Sequence, residues 1–465
     1  MKRIYLIYPP SPVMNREERC QQPTDDLILI PPLPPSDLLY LGAIARKCNV
    51  LPKVKDYSFF SETLEDLKKD ILDFEPDYII ANVATTTLEN DLTALKVAKE
   101  TLPNIITIAK GAHFNFLAKE TMEKNPFIDV AICGESELTL EEILSEKDFG
   151  EILGLCYRKE NEIIENQKRK LNDNLDNLPY PARDLIDNNL YIRPDNNKKQ
   201  AVIKVSRGCP YHCFFCLATP LNGAKVRYRS PKNIVGEIRE CYEKYGIDNF
   251  IFWSDIFNLD KKWVKELCEE IINSKLKITF STNTRADSAD IESIKLMKKA
   301  GCKLVSIGIE SGSQEMLDKM GKKITLEQIK NTVKIFKKEK IAIYAYYVIG
   351  LPWENKETIE QTLKFAQKLN TDFASFYTAT ALVGSRFYEY IQNSDLGELN
   401  FDHPYYYPSV KTHYLEAKEV FKLHKQLVKK YYMRPRYILK MLFQIRSFEQ
   451  FANYFKTGLR ILFRK

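Results

Sequence analysis

Two stretches of the chain, residues 1–145 and 196–395, alternate short apolar runs with amphipathic ones, and this alternation restricts the fold more than any other feature. In the first, "RIYLIY", "PKVKDYS", "PDYIIANVA", "NIITIAK" and "IDVAICG" read as strands, separated by helical patterns such as "SDLLYLGAIARKC" and "ELTLEEILSE". Strand and helix signals taking turns imply parallel strands joined by crossover helices. The expected fold class is therefore α/β, with a doubly wound, flavodoxin-like parallel sheet over 1–145. Its strands run into "YPPSP", "ATTT", "KGAH" and "CGESE", and sheets of this kind bind ligands beyond the carboxyl ends of their strands. No Gly-rich dinucleotide fingerprint follows the first strand, which disfavours a nicotinamide or flavin enzyme of that type.

Residues 146–195 are polar and turn-rich with little periodicity, and read as an interdomain linker. The second series places strands at "AVIKVS", "NFIFWS", "KITFST", "KLVSIGIE", "IAIYAYYVIG" and "FASFYTATAL". Six strand–helix steps suit a partial (β/α)6, TIM-like barrel over 196–395 better than a complete eightfold one. A basic helical region, 396–465, follows.

Just after the first barrel strand, "SRGCPYHCFFC" (206–216) places Cys209, Cys213 and Cys216 on one loop. A structural zinc wants four protein ligands, usually as two cysteine pairs, and no second pair exists. His212 would have to turn back sharply from its neighbour Cys213 to share the same ion. Three thiolates on one loop fit a [4Fe–4S] cluster whose fourth iron has no protein ligand and is open to a substrate or cofactor. The other seven cysteines mostly stand alone in apolar runs, as reduced cytosolic thiols do.

With this motif, and with "FWSDIF" (252–257), "STNTRAD" (281–287), "GIESGS" (308–313) and "VIGLPWE" (348–354) following in order at strand ends, the sequence resembles the radical S-adenosylmethionine (SAM) enzymes of the subclass with an N-terminal cobalamin (B12)-binding domain. The resemblance implies that SAM chelates the open iron through its amino and carboxylate groups. Reductive cleavage then yields a 5′-deoxyadenosyl radical. It implies SAM contacts from Phe215 beside the last cysteine, Asp255 for the ammonium, Asn283 and Arg285 for the carboxylate, Glu310 with Ser311 for the ribose, and Gly350 and Pro352 along the adenine. Cobalamin would lie against Thr85, Thr86, Gly111 and Glu135. Two departures stand out: the Asp-x-His-x-x-Gly segment of histidine-ligated domains is absent, and Lys110 precedes Gly111 where many relatives have two glycines. His113 is expected to be structural.

The reaction implied is methyl transfer to an unactivated carbon, or cyclisation or rearrangement, on a small-molecule or lipid-like substrate, with a one-electron donor such as flavodoxin or ferredoxin. Two alternatives are a methylthiotransferase acting on RNA, which needs a second cluster on Cys20, Cys48 and Cys133, and a non-enzymatic corrinoid or redox sensor.

The opening apolar run is too short for a signal peptide, and none approaches the roughly 18–20 residues needed to span a bilayer. The protein is expected to be cytoplasmic. Its net charge of +7 is uneven: from residue 418 onward thirteen Lys or Arg face Glu419 and Glu449, +11 for the tail, so the first 417 residues carry −4. Between 437 and 463, Ile438, Met441, Ile445, Phe448, Ala452, Phe455, Leu459 and Leu462 recur at helical spacing, with Lys440, Arg446, Lys456, Arg460 and Arg464 off the stripe. A basic amphipathic helix of this kind reads as a peripheral segment at the inner membrane face, or as a face packed on the protein's own barrel. Phosphate binding would not explain the apolar stripe, so no nucleic acid partner is expected.

Overall fold

The structure is a computed structural model that describes residues 1–11, 14–16, 22–23, 33–60, 62–193, 196–287, 290–397, 410–445 and 448–463. Strands of the two main sheets are labelled here β1 to β13. The first sheet contains β1 (Arg3–Tyr8), β2 (Leu51–Asp56), β3 (Tyr78–Asn82), β4 (Ile106–Lys110) and β5 (Val130–Ile132), then β6 (Leu155–Lys159) and β7 (Glu162–Glu165). Its order is β2-β1-β3-β4-β5-β6-β7. The first five strands are parallel in the flavodoxin-like order.

Period-two alternation sends Tyr5 and Ile7 to one face of β1 and Ile4 and Leu6 to the other. Helices Leu64–Phe74, Leu88–Thr101 and Phe114–Lys124 cover the first face, and Ser36–Lys47 and Ser136–Leu144 the second. The linker expected at 146–195 is corrected in part. Residues 155–165 form the antiparallel hairpin β6/β7 on the edge of this sheet. β6 buries only Leu155, Cys156 and Tyr157 and β7 has no buried residue, so these short strands carry little apolar periodicity to be read.

The second sheet runs β8 (Gln200–Lys204), β9 (Asn249–Trp253), β10 (Thr279–Thr284), β11 (Cys302–Glu310), β12 (Ala342–Ile349) and β13 (Phe373–Thr378) in chain order, all parallel. This is the six-stranded partial barrel. Helix Ala417–Tyr432 seals its last strand: the Tyr432 hydroxyl accepts from the Ala374 amide at 2.9 Å and donates to the Ala374 carbonyl, satisfying backbone groups of an edge strand.

The tail departs from a single amphipathic helix. Two helices, Pro435–Gln444 and Phe448–Phe463, are separated at Ile445, whose backbone is extended (φ −68°, ψ 128°). Met441 and Ile461 pack on the barrel core, whereas Ile438, Phe455 and Leu459 of the stripe stay exposed. Arg446 and Arg464 lie outside the described residues. Among the described residues no helix is long and apolar enough to cross a membrane.

Candidate functional site

The cysteine loop springs from a two-residue ribbon in which Ser206–Arg207 pairs antiparallel with Arg227–Tyr228. Gly208 turns the chain with φ +103°, and a Cβ there would sit 2.2 Å from the Lys225 carbonyl oxygen, so only glycine fits. Its amide donates at 2.6 Å to Asp255, which also accepts from Asn222 at 3.0 Å. Asp255, beyond the end of β9, thereby bolts the root of the loop to the barrel. Thr219 closes the loop from within, donating to the carbonyls of Cys209 (2.8 Å) and Tyr211 (2.6 Å). Phe214 anchors its far side among Trp353, Phe387 and Tyr390.

Cys209, Cys213 and Cys216 are each partly exposed and line one cavity of about 320 Å³. The Cys216 sulfur accepts the Ala218 amide at 3.4 Å. Burial instead pushes the thiols of Cys133, Cys156, Cys241 and Cys268 up to about 12, which keeps them protonated and poor ligands. Among the described residues no three of His, Cys, Asp or Glu converge on a single metal ion. A cubane takes one thiolate per iron, so its ligands need not converge, and the three cavity cysteines suit it.

Phe215, Asp255, Asn283, Arg285 and Glu310 line the same cavity. Asn283 bonds both ways with Ser254 at 2.7 Å, tying β10 to the loop after β9. Arg285 holds Asp287 through two 2.9 Å bonds, donates to the Lys322 carbonyl at 2.7 Å, and lies 3.6 Å over the Tyr211 ring. Glu310 has φ +66° at a break in the β11–β12 register, and accepts from the Lys322 ammonium at 2.6 Å. Strain of this kind clusters at functional sites. The cavity thus offers charges of both signs, as a ligand with cationic and anionic groups such as SAM requires.

Ser311, Gly350 and Pro352 are not brought to this lining. Ser311 faces Thr362 at 3.1 Å, the Gly350 amide donates to Glu354 at 2.6 Å, and the Pro352 carbonyl accepts from the His413 amide at 2.8 Å. Sequence reasoning missed Lys322, Tyr211 and Asp287, which fix the predicted charges. It also missed the wall of Tyr344, Tyr346, Tyr377 and Trp253. The alternation in "YAYY" was a signal for two of these, because Tyr344 and Tyr346 must share a face of β12.

In the first domain Thr85 and Thr86 follow β3, and the Thr86 hydroxyl oxygen is buried without a hydrogen-bond partner, an open position for a ligand group. Lys110 is tied at 2.8 Å to Asp37, which also accepts from the Asn82 side-chain NH₂ at 2.7 Å and from the Tyr8 hydroxyl. Gly111 is required by its own backbone: at φ +136° a Cβ would meet the Val83 carbonyl at 2.0 Å. Glu135 is held by neighbours from the linker and the barrel domain. One oxygen accepts from Arg207 and Arg227 at 2.9 Å, and the other from the Asn172 amide at 2.7 Å, so this carboxylate serves the domain junction. His113 bonds Thr121 at 2.9 Å, and burial lowers its imidazole to about 4, which keeps it neutral.

The second cluster of a methylthiotransferase is not favoured. Cys133 packs in the core on one face of the first sheet and Cys48 against the core on the other, so the sheet separates them. Cys20 lies outside the described residues.

Comparison with known proteins matches residues 203–366 to the radical SAM superfamily and 31–144 to the B12 binding domain. The chain is similar to an uncharacterised methyltransferase of Pyrococcus horikoshii, 31% identical over 89% of this chain and 91% of that protein. It is also similar to the anaerobic magnesium-protoporphyrin IX monomethyl ester cyclase of Rubrivivax gelatinosus, 27% identical over 74% and 63% of the two chains. Among solved structures, the cobalamin-dependent SAM radical enzyme OxsB with aqua-cobalamin and SAM bound superposes with a TM-score of 0.74 at 16% identity, over 98% of this chain and 70% of that one.

Proposed function

The chain belongs to the cobalamin-binding radical SAM enzymes, and from that premise we propose that it transfers a methyl group to an unactivated carbon of an amphiphilic small molecule. The observation that carries this reading is the meeting of three partly exposed cysteines with side chains of both charges around one cavity. Cys209, Cys213 and Cys216 would each ligate one iron of a [4Fe–4S] cluster. When bound, the cluster supplies an electron for cleaving the SAM sulfonium, and the corrinoid carries the methyl group.

The chain's own residues have distinct tasks. Asp255 holds the Gly208 amide and so fixes the first cluster ligand. Arg285, oriented by Asp287 and by the Tyr211 ring, would meet the SAM carboxylate. Glu310 keeps one oxygen on Lys322 and offers the other to the ribose hydroxyls. The wall of Tyr344, Tyr346, Tyr377 and Trp253 excludes water and receives an apolar substrate. In the first domain the Thr86 hydroxyl would take a hydrogen bond from the corrinoid. A small donor such as flavodoxin or ferredoxin would deliver the electron.

The tail supports contact with an anionic membrane surface: Phe443 is 88% exposed, and Leu439, Leu442 and Phe455 about half exposed, within the segment that carries the surplus of positive charge.

Incubating the reduced, anaerobically loaded enzyme with a lipid extract and SAM bearing a deuterated methyl tests the reaction. The reading expects 5′-deoxyadenosine together with label in an extracted product. Formation of 5′-deoxyadenosine with an unlabelled altered product would point instead to cyclisation or rearrangement.

A further inference from the structure

At the end of the barrel opposite the cysteine loop, the first residues of β9 to β13 surround a second cavity of about 870 Å³. Its lining holds Lys198, Lys303, Lys337, Lys340, Lys440 and Arg193. Among the described residues two carboxylates answer the lysines: Asp248 pairs with Lys198 at 2.5 Å and Asp372 with Lys440 at 2.9 Å. Among these lysines, Lys303, Lys337 and Lys340 have no carboxylate within ion-pair distance among the described residues, so the base of the barrel carries a surplus of positive charge. Burial, then the charge of Lys440, lowers the Lys337 ammonium, and burial, then Lys303 and Lys340, lowers neighbouring Lys298. An anion placed among them would relieve this crowding.

Two further observations point to a ligand. Asn249 lines the cavity at 3% exposure, and its side-chain NH₂ has no hydrogen-bond partner, a buried donor awaiting an acceptor. Phe443, 88% exposed, stands at the same cavity beside half-exposed Leu442. Cations and an unmet donor thus lie next to unpartnered apolar side chains, a complement to a molecule with an anionic head and an apolar body.

We propose that this base pocket binds the phosphate of an anionic membrane lipid, while Phe443 and Leu442 enter the acyl boundary beside it. The proposal rests on the membrane contact inferred above and adds a specific headgroup site to it. The membrane would then meet the amino ends of the barrel strands, leaving the cysteine loop on the far side accessible to an electron donor.

The test is co-sedimentation of the anaerobically purified full chain with phosphatidylcholine vesicles, with and without phosphatidylglycerol. Lys303→Glu/Lys340→Glu reverses two exposed pocket cations remote from the cluster. Lys418→Glu/Lys422→Glu makes the same charge change outside the pocket. Near-surface cations contribute about 1 kcal/mol each, so the pocket variant should lose binding by about tenfold or more, and the control by clearly less. Both should keep wild-type SAM cleavage, which shows that they fold. Phe443→Ser should weaken vesicle binding, and inorganic phosphate should compete only weakly.

Equal losses in both charge variants would overturn the pocket while leaving membrane contact standing. No wild-type binding to phosphatidylglycerol vesicles would overturn both. Full release by millimolar phosphate, with Phe443→Ser unaffected, would assign the pocket to a soluble anion and overturn the lipid reading.

Discussion

Arg207, two residues before the first cysteine of the loop, donates at 2.9 Å to Glu135 at the head of the first domain's last helix, and at 2.5 Å to Glu137 within it. The root of the loop is thus clasped to the first domain by a buried charge network that Arg227 extends. Burial pushes the Glu137 carboxyl up, but the charge and hydrogen bonds of Arg207, with Lys204, outweigh it and hold the group at about 2.

The clasp predicts a defined acid sensitivity. A carboxylate depressed on folding contributes stability above its unfolded value near 4.5, which is lost as pH falls from there toward 2. Glu137→Ala should cost about 3–5 kcal/mol, because Arg207 is left buried with less of its charge compensated. It should also flatten the pH dependence in that window, read from urea unfolding at successive pH values.

Glu354 predicts the opposite slope. Its carboxylate accepts the amides of Gly350 and Leu351, but burial, only partly offset by those bonds, raises it to about 7. An acid raised on folding binds its proton more tightly in the native state, so its ionisation lowers stability as pH rises from about 4.5 to 7. Glu354→Gln, which keeps an acceptor, should unfold at a higher temperature than wild type above pH 7 and gain less at pH 5. Glu354→Ala strands two amides and should lose about 1–3 kcal/mol at either pH.

Lys110 is part of the floor of the first domain. Its ammonium is the charge partner of Asp37, a carboxylate that burial pushes up but Lys110 and Lys204 draw well below the usual range. Lys110→Gly should therefore destabilise the domain by about 3–5 kcal/mol and lower corrinoid retention. Higher retention in the variant, measured by absorbance after gel filtration, would identify the lysine as an obstruction.

What could be read in advance divides along physical lines. The parallel strands of both sheets and the cysteine loop were legible because burial imposes a local pattern and metal ligation a local spacing. The Arg207–Glu135 bond spans 72 residues, and the Lys322–Glu310 pair joins a residue of no recognisable motif to one inside a motif. Neither leaves a local pattern. The hairpin β6/β7 was read as linker because its strands are short and β7 has no buried residue, and the break at Ile445 was hidden by an apolar spacing that continued through it. Asp255 was read as a ligand contact, and it lines the cavity. The structure adds that it braces the loop itself.

The central claim is that one chain binds a cluster through Cys209, Cys213 and Cys216 and a corrinoid through its first domain. It is tested most directly by counting both after anaerobic reconstitution with iron, sulfide and hydroxocobalamin. The account predicts about four irons and about one corrinoid per wild-type chain. With all three cysteines changed to Ala, iron and SAM cleavage should be lost while the corrinoid remains. Iron retained in the triple variant, or no corrinoid in the wild type, would contradict it.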